Sequence, residues 1–356
     1  MVHAPPRPTP GQPPIRINLY SDTQTKPTRA MRAAMLEAEV GDEQSGLDPT
    51  IDALCERMAA LLGKQASMFL PSGTMCNEIA ILTHCRPGDA VLAPANAHIV
   101  AAEGGAPAAL AGVQITQLPG ERGQFTAETL RAALLPASRY NAPQTLLSVE
   151  QTANLGGGTI WPVETLHEVA DIARAHGMAT HMDGARLMNA AVAAGVPAAE
   201  MAAGYDSVWL DFTKGLGAPL GAVLCGSAEF IDRAWRWKQR LGGALRQGGI
   251  SAAGCLYALD HHVERLAEDH ANARALAAGL AQIEGLDVET PETNLVFFST
   301  ERIGLSAADL AARLRAEGVL VSTMGPNRVR VCTHLDVTHA DVIEAVAVVR
   351  RLLADR

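Results

Sequence analysis

Short buried strands alternate with helical stretches along most of this chain, and that alternation leaves few folds open to it. Met68-Phe69-Leu70, Ala90-Val91-Leu92, Val113-Gln114-Ile115 and the stretches 145–150, 178–182 and 207–212 are mostly apolar runs too short for helices. Apolar residues at helical spacing fill 28–39, 49–62 and 163–176, and a largely apolar helix follows Ser72. Within 49–62, Ile51, Leu54, Met58, Leu61 and Leu62 recur at that spacing, and Pro49 suits a first helical turn. Near-continuous apolar strands separated by helices specify an α/β fold: a mostly parallel sheet covered by helices on both faces.

A chain of 356 residues predicts about two domains. Residues 1–14 form a proline-rich tail, expected to be disordered and excluded from the fold. Ile15, Ile17 and Leu19 alternate, which predicts a short strand or extended arm. A large domain is expected over 15–255. From about Leu256 the texture changes to a long charged amphipathic helix running towards Ile283. A strand at 293–298, a helix at 307–317, strands near Val319 and Val329 and a helix at 339–353 follow, giving a smaller C-terminal α/β domain over 256–356.

Composition removes several function classes. Aromatics make up only 4% of residues and the net charge is −9, which argues against a stacking nucleic-acid binder or any polyanion partner. The six cysteines form no CxxC pair and mostly lie in apolar runs, so they read as reduced core thiols with no metal or disulfide role. The chain shows neither a secretory leader pattern nor a run near the ~18 apolar residues that span a bilayer. The expectation is a soluble, cytoplasmic protein with no membrane partner.

The chemistry centres on Lys214. It closes the apolar run 207–212 and opens directly into Gly215-Leu216-Gly217, which presents one amine at a strand end. A lysine in a partly dry pocket can lose its charge and act as a nucleophile toward an aldehyde cofactor. Asp183, in His181-Met182-Asp183-Gly184-Ala185-Arg186, ends another strand and supplies the acid that a pyridinium nitrogen requires. Together they point to pyridoxal phosphate. Ser72-Gly73-Thr74 lies between strand and helix, where backbone amides and Gly73 admit a phosphate, with the Thr213 hydroxyl alongside. Taken alone, Ser72 is an ordinary helix cap and Asp183-Gly184 a surface turn. Arg186 suits a carboxylate or the ring oxygen, or else a surface ion pair. His98 suits stacking on the ring and proton transfer, or a structural role. Arg330, in an otherwise apolar strand, needs either a substrate carboxylate or an internal acid. Arg246 sits in a glycine-rich loop suited to a phosphate, a subunit interface or plain mobility.

Read in order, these pieces are similar to one family. The chain from Ser21 to its last helix resembles the low-specificity L-threonine aldolases, fold-type-I pyridoxal-phosphate enzymes. The motifs are Ser21-Asp22-Thr23, Leu70-Pro71-Ser72-Gly73-Thr74, Glu103-Gly104-Gly105, His181 to Arg186, Thr213 to Pro219, Arg246-Gln247 and Arg330 to Val337. The resemblance implies a large domain with a mostly parallel sheet plus a smaller C-terminal domain. It implies Lys214 as the Schiff-base lysine, Asp183 on the pyridine nitrogen and His98 stacked on the ring. It gives the phosphate to Ser72, Gly73, Thr74 and Thr213, with Arg246 from a neighbouring subunit, and the amino-acid carboxylate to Arg186, Arg330 and Ser21. It further implies a homo-oligomer, a dimer of dimers with shared active sites.

Four positions depart from the family pattern. Ala153 replaces a histidine that helps hold or deprotonate the β-hydroxyl, which leaves His98 or a bound water as the base. Ser45 replaces a tyrosine, Ala102 an aromatic, and Gln239, beside Lys238, a basic residue. If Ala153, Ser45 and Ala102 all line the pocket, it is widened for bulky β-substituents. The implied reaction is cleavage of L-threonine and related β-hydroxy-α-amino acids to glycine and an aldehyde. The rivals are another reaction of the same cofactor (racemase, β-eliminating lyase or transaminase) and a cofactor-binding protein without catalysis.

Overall fold

The computed structural model describes residues 11–354, so residues 1–10 of the expected tail lie outside the described residues. Pro13 is held by its carbonyl, which accepts a hydrogen bond from Arg315 at 2.7 Å. Strand β1 (Ile17–Asn18) follows, then helices α1 (Arg29–Leu36) and α2 (Pro49–Leu61). Both helices open on a side-chain cap: Thr28 accepts from the Met31 amide and Asp48 from the Ile51 amide. The alternation then begins. In order come β2 (Ala66–Leu70), α3 (Gly73–His84), β3 (Ala90–Pro94), α4 (His98–Ala101), β4 (Gln114–Leu118), α5 (Ala127–Ala133) and β5 (Gln144–Glu150). After them come α6 (Val163–Ala175), β6 (Ala179–Gly184), α7 (Leu187–Ala194), α8 (Ala198–Met201), β7 (Ser207–Asp211) and β8 (Ala222–Gly226).

These strands form one seven-stranded sheet in the order β2-β8-β7-β6-β5-β3-β4. Pairing is parallel except at β8, which runs antiparallel to both of its neighbours. Every residue of β3, β7 and β8 is buried, as strands covered on both faces must be. Carboxyl ends of the parallel strands therefore lie along one edge, where open α/β sheets bind ligands.

The remainder is α9 (Ala228–Arg240), α10 (Gly249–His261), α11 (Leu266–Ala281), β9 (Asp287–Val288), β10 (Leu295–Ser299), α12 (Ala307–Ala316), β11 (Val319–Leu320), β12 (Ser322–Thr323), β13 (Arg328–Cys332) and α13 (His339–Ala354). The single long helix expected from Leu256 is two helices, separated at 262–265. Residue 256 falls inside α10, which packs on α1 and α2, so the expected boundary at 255/256 cuts a helix of the larger layer. An antiparallel sheet, β12-β13-β10-β9, forms the smaller unit, with α11 and α12 packed on it. Strand β1 pairs in parallel with β11, and Ile17 and Leu19 are buried in that unit's core beside Phe298 and Val331. The start of the expected large domain thus adds to the smaller one. All six cysteines are free thiols. No described helix is long and apolar enough to cross a membrane.

Candidate active site

A cavity of about 570 Å³ opens where the carboxyl ends of β2, β3, β5, β6 and β7 meet the loop after β1. That volume lies within the range of small-molecule sites. Ser21, Ser72, Gly73, Thr74, His98, Asp183, Arg186, Thr213, Lys214 and Arg330 all line it. Of the residues singled out from the sequence for the site, Arg246 alone stands apart, its guanidinium exposed and paired with Asp42 at 3.0 Å.

Asp183 ends β6 and is 3% exposed. One of its oxygens accepts from Asn77 Nδ2 at 2.8 Å and the other from the Ala185 amide at 3.0 Å. Burial raises its carboxyl above the ordinary range, against the opposing pull of His98, Asn77 and Lys214. Asn77 is fully engaged: it also donates to Glu103 at 2.7 Å and accepts from Trp209 Nε1 at 2.7 Å, with His181 Nε2 at 3.1 Å. His98 opens α4, just after β3. Its amide donates to Glu150 and its Nδ1 meets Glu103 Oε1, both at 2.7 Å. Burial opposes the His98 proton, but Glu103, Asp183 and Glu150 raise the imidazole above its usual range. Burial, then the Asp183 charge, pushes the Glu150 carboxyl up to about 7.

Lys214 follows β7 and reaches Asp211 at 2.5 Å, with its amine 5.7 Å from the Trp209 ring. It is ion-paired with Asp211 here. The other Asp211 oxygen takes the Thr213 amide and hydroxyl, each at 2.8 Å, which fixes the turn that aims Lys214. Across the cavity α3 begins at Gly73, with Ser72 capping the Met75 amide. Helical geometry leaves the Gly73 and Thr74 amides without intrahelical partners, an anion site of the expected kind. The glycine has a further reason the sequence does not reveal. A Cβ at Gly73 would lie 2.1 Å from the Trp209 ring.

The two arginines differ. Arg186 closes a fork on Asp22, through Nε and Nη2 at 2.7 Å each, a buried pair where the sequence allowed a surface one. Its Nη1 reaches Asn154 at 3.4 Å. Arg330 is buried, donates to Asn154 and to the Tyr20 carbonyl, and its Nε is sealed from solvent without a partner. No ion pair holds it among the described residues, so the internal acid allowed for by the sequence is not its partner. Ser21 accepts from the Thr23 amide and hydroxyl at the cavity wall.

Of the small residues expected to widen the pocket, Ala102 lines it. Ala153 is buried against Gly123, and Ser45 bonds Asp42 outside the cavity. Lys238, beside Gln239, is buried in an ion pair with Glu43 outside the cavity. Asp22, Asn77, Glu150 and Asp211 join the site unannounced. Asp22 stands in a quoted motif, but its partner is 164 residues away.

The donors suit pyridoxal phosphate: an acid and an amine at the ends of adjoining strands, a helix start for the phosphate, and a buried cation with an unpartnered nitrogen for a carboxylate. A family model described as beta-eliminating lyase matches residues 18–302. The chain is 40% identical over 333 residues to low-specificity L-threonine aldolase 1 of Arabidopsis thaliana, covering 92% of this chain and 93% of that protein. It is 39% identical over 340 residues to the low specificity L-threonine aldolase of Escherichia coli K12, covering 95% and 99%. Among solved structures it superposes on a Leishmania major threonine aldolase with a TM-score of 0.82, at 22% identity over 95% of this chain and 99% of that one. The observed architecture is the fold-type-I arrangement expected from the sequence.

Proposed function

We propose that this chain, which belongs to the beta-eliminating lyase family and to the low-specificity L-threonine aldolases, cleaves L-threonine and related β-hydroxy-α-amino acids to glycine and an aldehyde. It is a lyase whose cofactor is pyridoxal 5'-phosphate. What carries the reading is one relationship: Asp183 and Lys214 stand at the ends of adjoining strands and line the same cavity.

When bound, the cofactor supplies an electron sink for the bond that breaks. The residues do the rest. Asp183 holds the proton on the ring nitrogen, and its burial beneath Asn77 keeps water from competing. Ser72, Gly73, Thr74 and Thr213 take the phosphate. His98, at the start of α4 after β3, would cover the ring. Arg330 takes the substrate carboxylate, with Ser21 and the Nη1 side of Arg186 beside it. Ala153 leaves no imidazole for the β-hydroxyl, so His98, a bound water or Glu150 accepts that proton. Glu150 lines the cavity, and burial with the Asp183 charge pushes its carboxyl up to about 7, the range a general base needs.

The direct test is incubation of the pure protein with a panel of β-hydroxy amino acids, identifying glycine and the aldehyde formed. Lys214→Ala is the control and should abolish turnover. Pyruvate or a racemised substrate in place of glycine would favour the rival reactions. Ala102 at the wall supports acceptance of bulky β-substituents, which comparison of kcat/KM for threonine and phenylserine decides.

The working form is proposed to be a homo-oligomer, a dimer of dimers. Leu36, Val40 and Leu47 lie exposed on and after α1, and Ile250 on α10, which packs there. Arg246 lies close to that face through Asp42, where it would serve a second copy's phosphate. Light scattering across a dilution series tests the assembly. The free thiols and acidic balance fit the cytoplasm.

A further inference from the structure

Behind His98 lie two acids of which the reaction described above uses neither. Glu103 is 7% exposed and Glu78, on α3, is 2% exposed. Glu103 Oε1 is occupied, facing His98 Nδ1 and Asn77 Nδ2 at 2.7 Å each. Its Oε2 and both oxygens of Glu78 are sealed from solvent and meet no nitrogen or hydroxyl donor. The two carboxyl groups are nevertheless within hydrogen-bonding reach of each other. Two carboxylates are acceptors only and repel in a dry site, so one proton must lie between them.

The surroundings decide which acid carries it. Asn77 Nδ2 and His98 Nδ1 both face Glu103, whereas no nitrogen or hydroxyl reaches Glu78. We infer that Glu78 is a neutral carboxylic acid that donates to Glu103 Oε2 and thereby positions the carboxylate that orients His98. Burial, then the bond to Glu103 and its charge, pushes the Glu78 carboxyl up to about 9. Glu103 is the one charged group bearing directly on it, while Asp183 on β6 and Glu150 on β5 act with Glu103 on His98 of α4. The shared proton keeps Glu103 an acceptor, so His98 donates through Nδ1 and exchanges its proton at Nε2. Glu78 is thus a positioning residue, and the inference rests on the role proposed for His98.

Two holoenzyme variants test it. Glu78→Gln keeps a donor toward Glu103, whereas Glu78→Leu leaves Oε2 unpaired in an apolar wall. At neutral pH the infrared difference between wild type and Glu78→Gln should contain a protonated-carboxyl stretch, and its absence overturns the inference whatever the activity. A raised folded-state pKa makes wild-type stability fall as pH climbs from about 4 to about 9, because the unfolded chain releases that proton first. Melting temperatures of both variants should show a shallower fall over that window, and parallel curves would count against the shared proton. In kcat/KM, Glu78→Leu should lose roughly tenfold to a hundredfold, the scale for partners that orient a working histidine, with Glu78→Gln recovering most of it. Equal losses in both variants, or none in Glu78→Leu, would remove the positioning role. Should His98→Ala retain full activity while the infrared band is present, the role of His98 fails and the shared proton stands.

Discussion

Asp22 and Arg186 lock together across the molecule, with two bonds of 2.7 Å and relative exposures of 0% and 5%. Asp22 comes from the turn after β1, Arg186 from the end of β6, and Asn294 of the smaller unit donates to the same carboxylate at 3.0 Å. One acid therefore ties the entering segment, the large sheet and the small sheet at the cavity wall.

Removing that acid should be costly. Asp22→Ala leaves a buried guanidinium uncompensated, and unfolding in urea should show a loss of about 3–5 kcal/mol. Burial raises the Asp22 carboxyl, but Arg186 overrides it and holds the group well below the usual carboxylate range. The folded pKa is the lower one, so this stabilisation is complete above about pH 4 and fades as the pH falls further. The stability gap between wild type and Asp22→Asn should narrow on acidification below that point. A gap that widened would contradict the pairing.

Much of this architecture was legible because strands buried on both faces leave near-continuous apolar runs. β3, β5 and β7 follow that pattern. β8 is equally buried but follows a glycine-laced stretch, and no local pattern says that it runs antiparallel between β2 and β7. The break between α10 and α11 was hidden because Val263 and Leu266 carry helical apolar spacing straight across it. Site residues at strand ends were readable as residue types. Their partners were not: Arg330 of the small sheet meets Asn154, in the loop after β5 of the large one, across 176 positions, a pairing that only the packing of the two units creates.

Arg330 should show opposite effects on folding and on binding. It is buried without a carboxylate, and burial lowers its guanidinium pKa. Arg330→Met removes that uncompensated charge, so stability should hold or rise by about 1–3 kcal/mol. Substrate binding should weaken by about 2–5 kcal/mol, the scale for truncating one partner of a buried charged pair. Thermal melting and steady-state kinetics with threonine measure the two effects. A destabilised variant with an unchanged KM would remove Arg330 from the substrate.

Lys238 and Glu43 form a second closed pair, outside the cavity. Lys238 is wholly buried, its amine 4.3 Å from the Trp235 ring, and Glu43 also accepts from the Leu245 amide at 2.7 Å. Lys238→Met should cost about 3–5 kcal/mol by stranding Glu43. Lys238→Met combined with Glu43→Gln should lose less than the sum of the two single changes. A double-mutant cycle in urea reads that coupling, and additive losses would mean that the pair contributes little.

Gly73 and Trp209 set how the phosphate end of the cavity is built. Trp209 is 2% exposed and anchored through Nε1 to Asn77, so its ring cannot swing aside freely. A methyl at Gly73 would lie 2.1 Å from one ring carbon and 2.4 Å from the next. Gly73→Ala must then move the start of α3, carrying with it Ser72, Thr74 and the amides that face the cavity. Overpacking of this kind costs about 1–3 kcal/mol, and here it falls on the cofactor's anchor more than on the fold. Absorbance titration of the cofactor should therefore show weakening of roughly tenfold, with little change in melting of the cofactor-free protein. Adding Trp209→Phe to Gly73→Ala removes the obstructing ring carbons and should recover part of the affinity. If Gly73→Ala binds the cofactor as tightly as wild type, the indole is not what limits this end of the site.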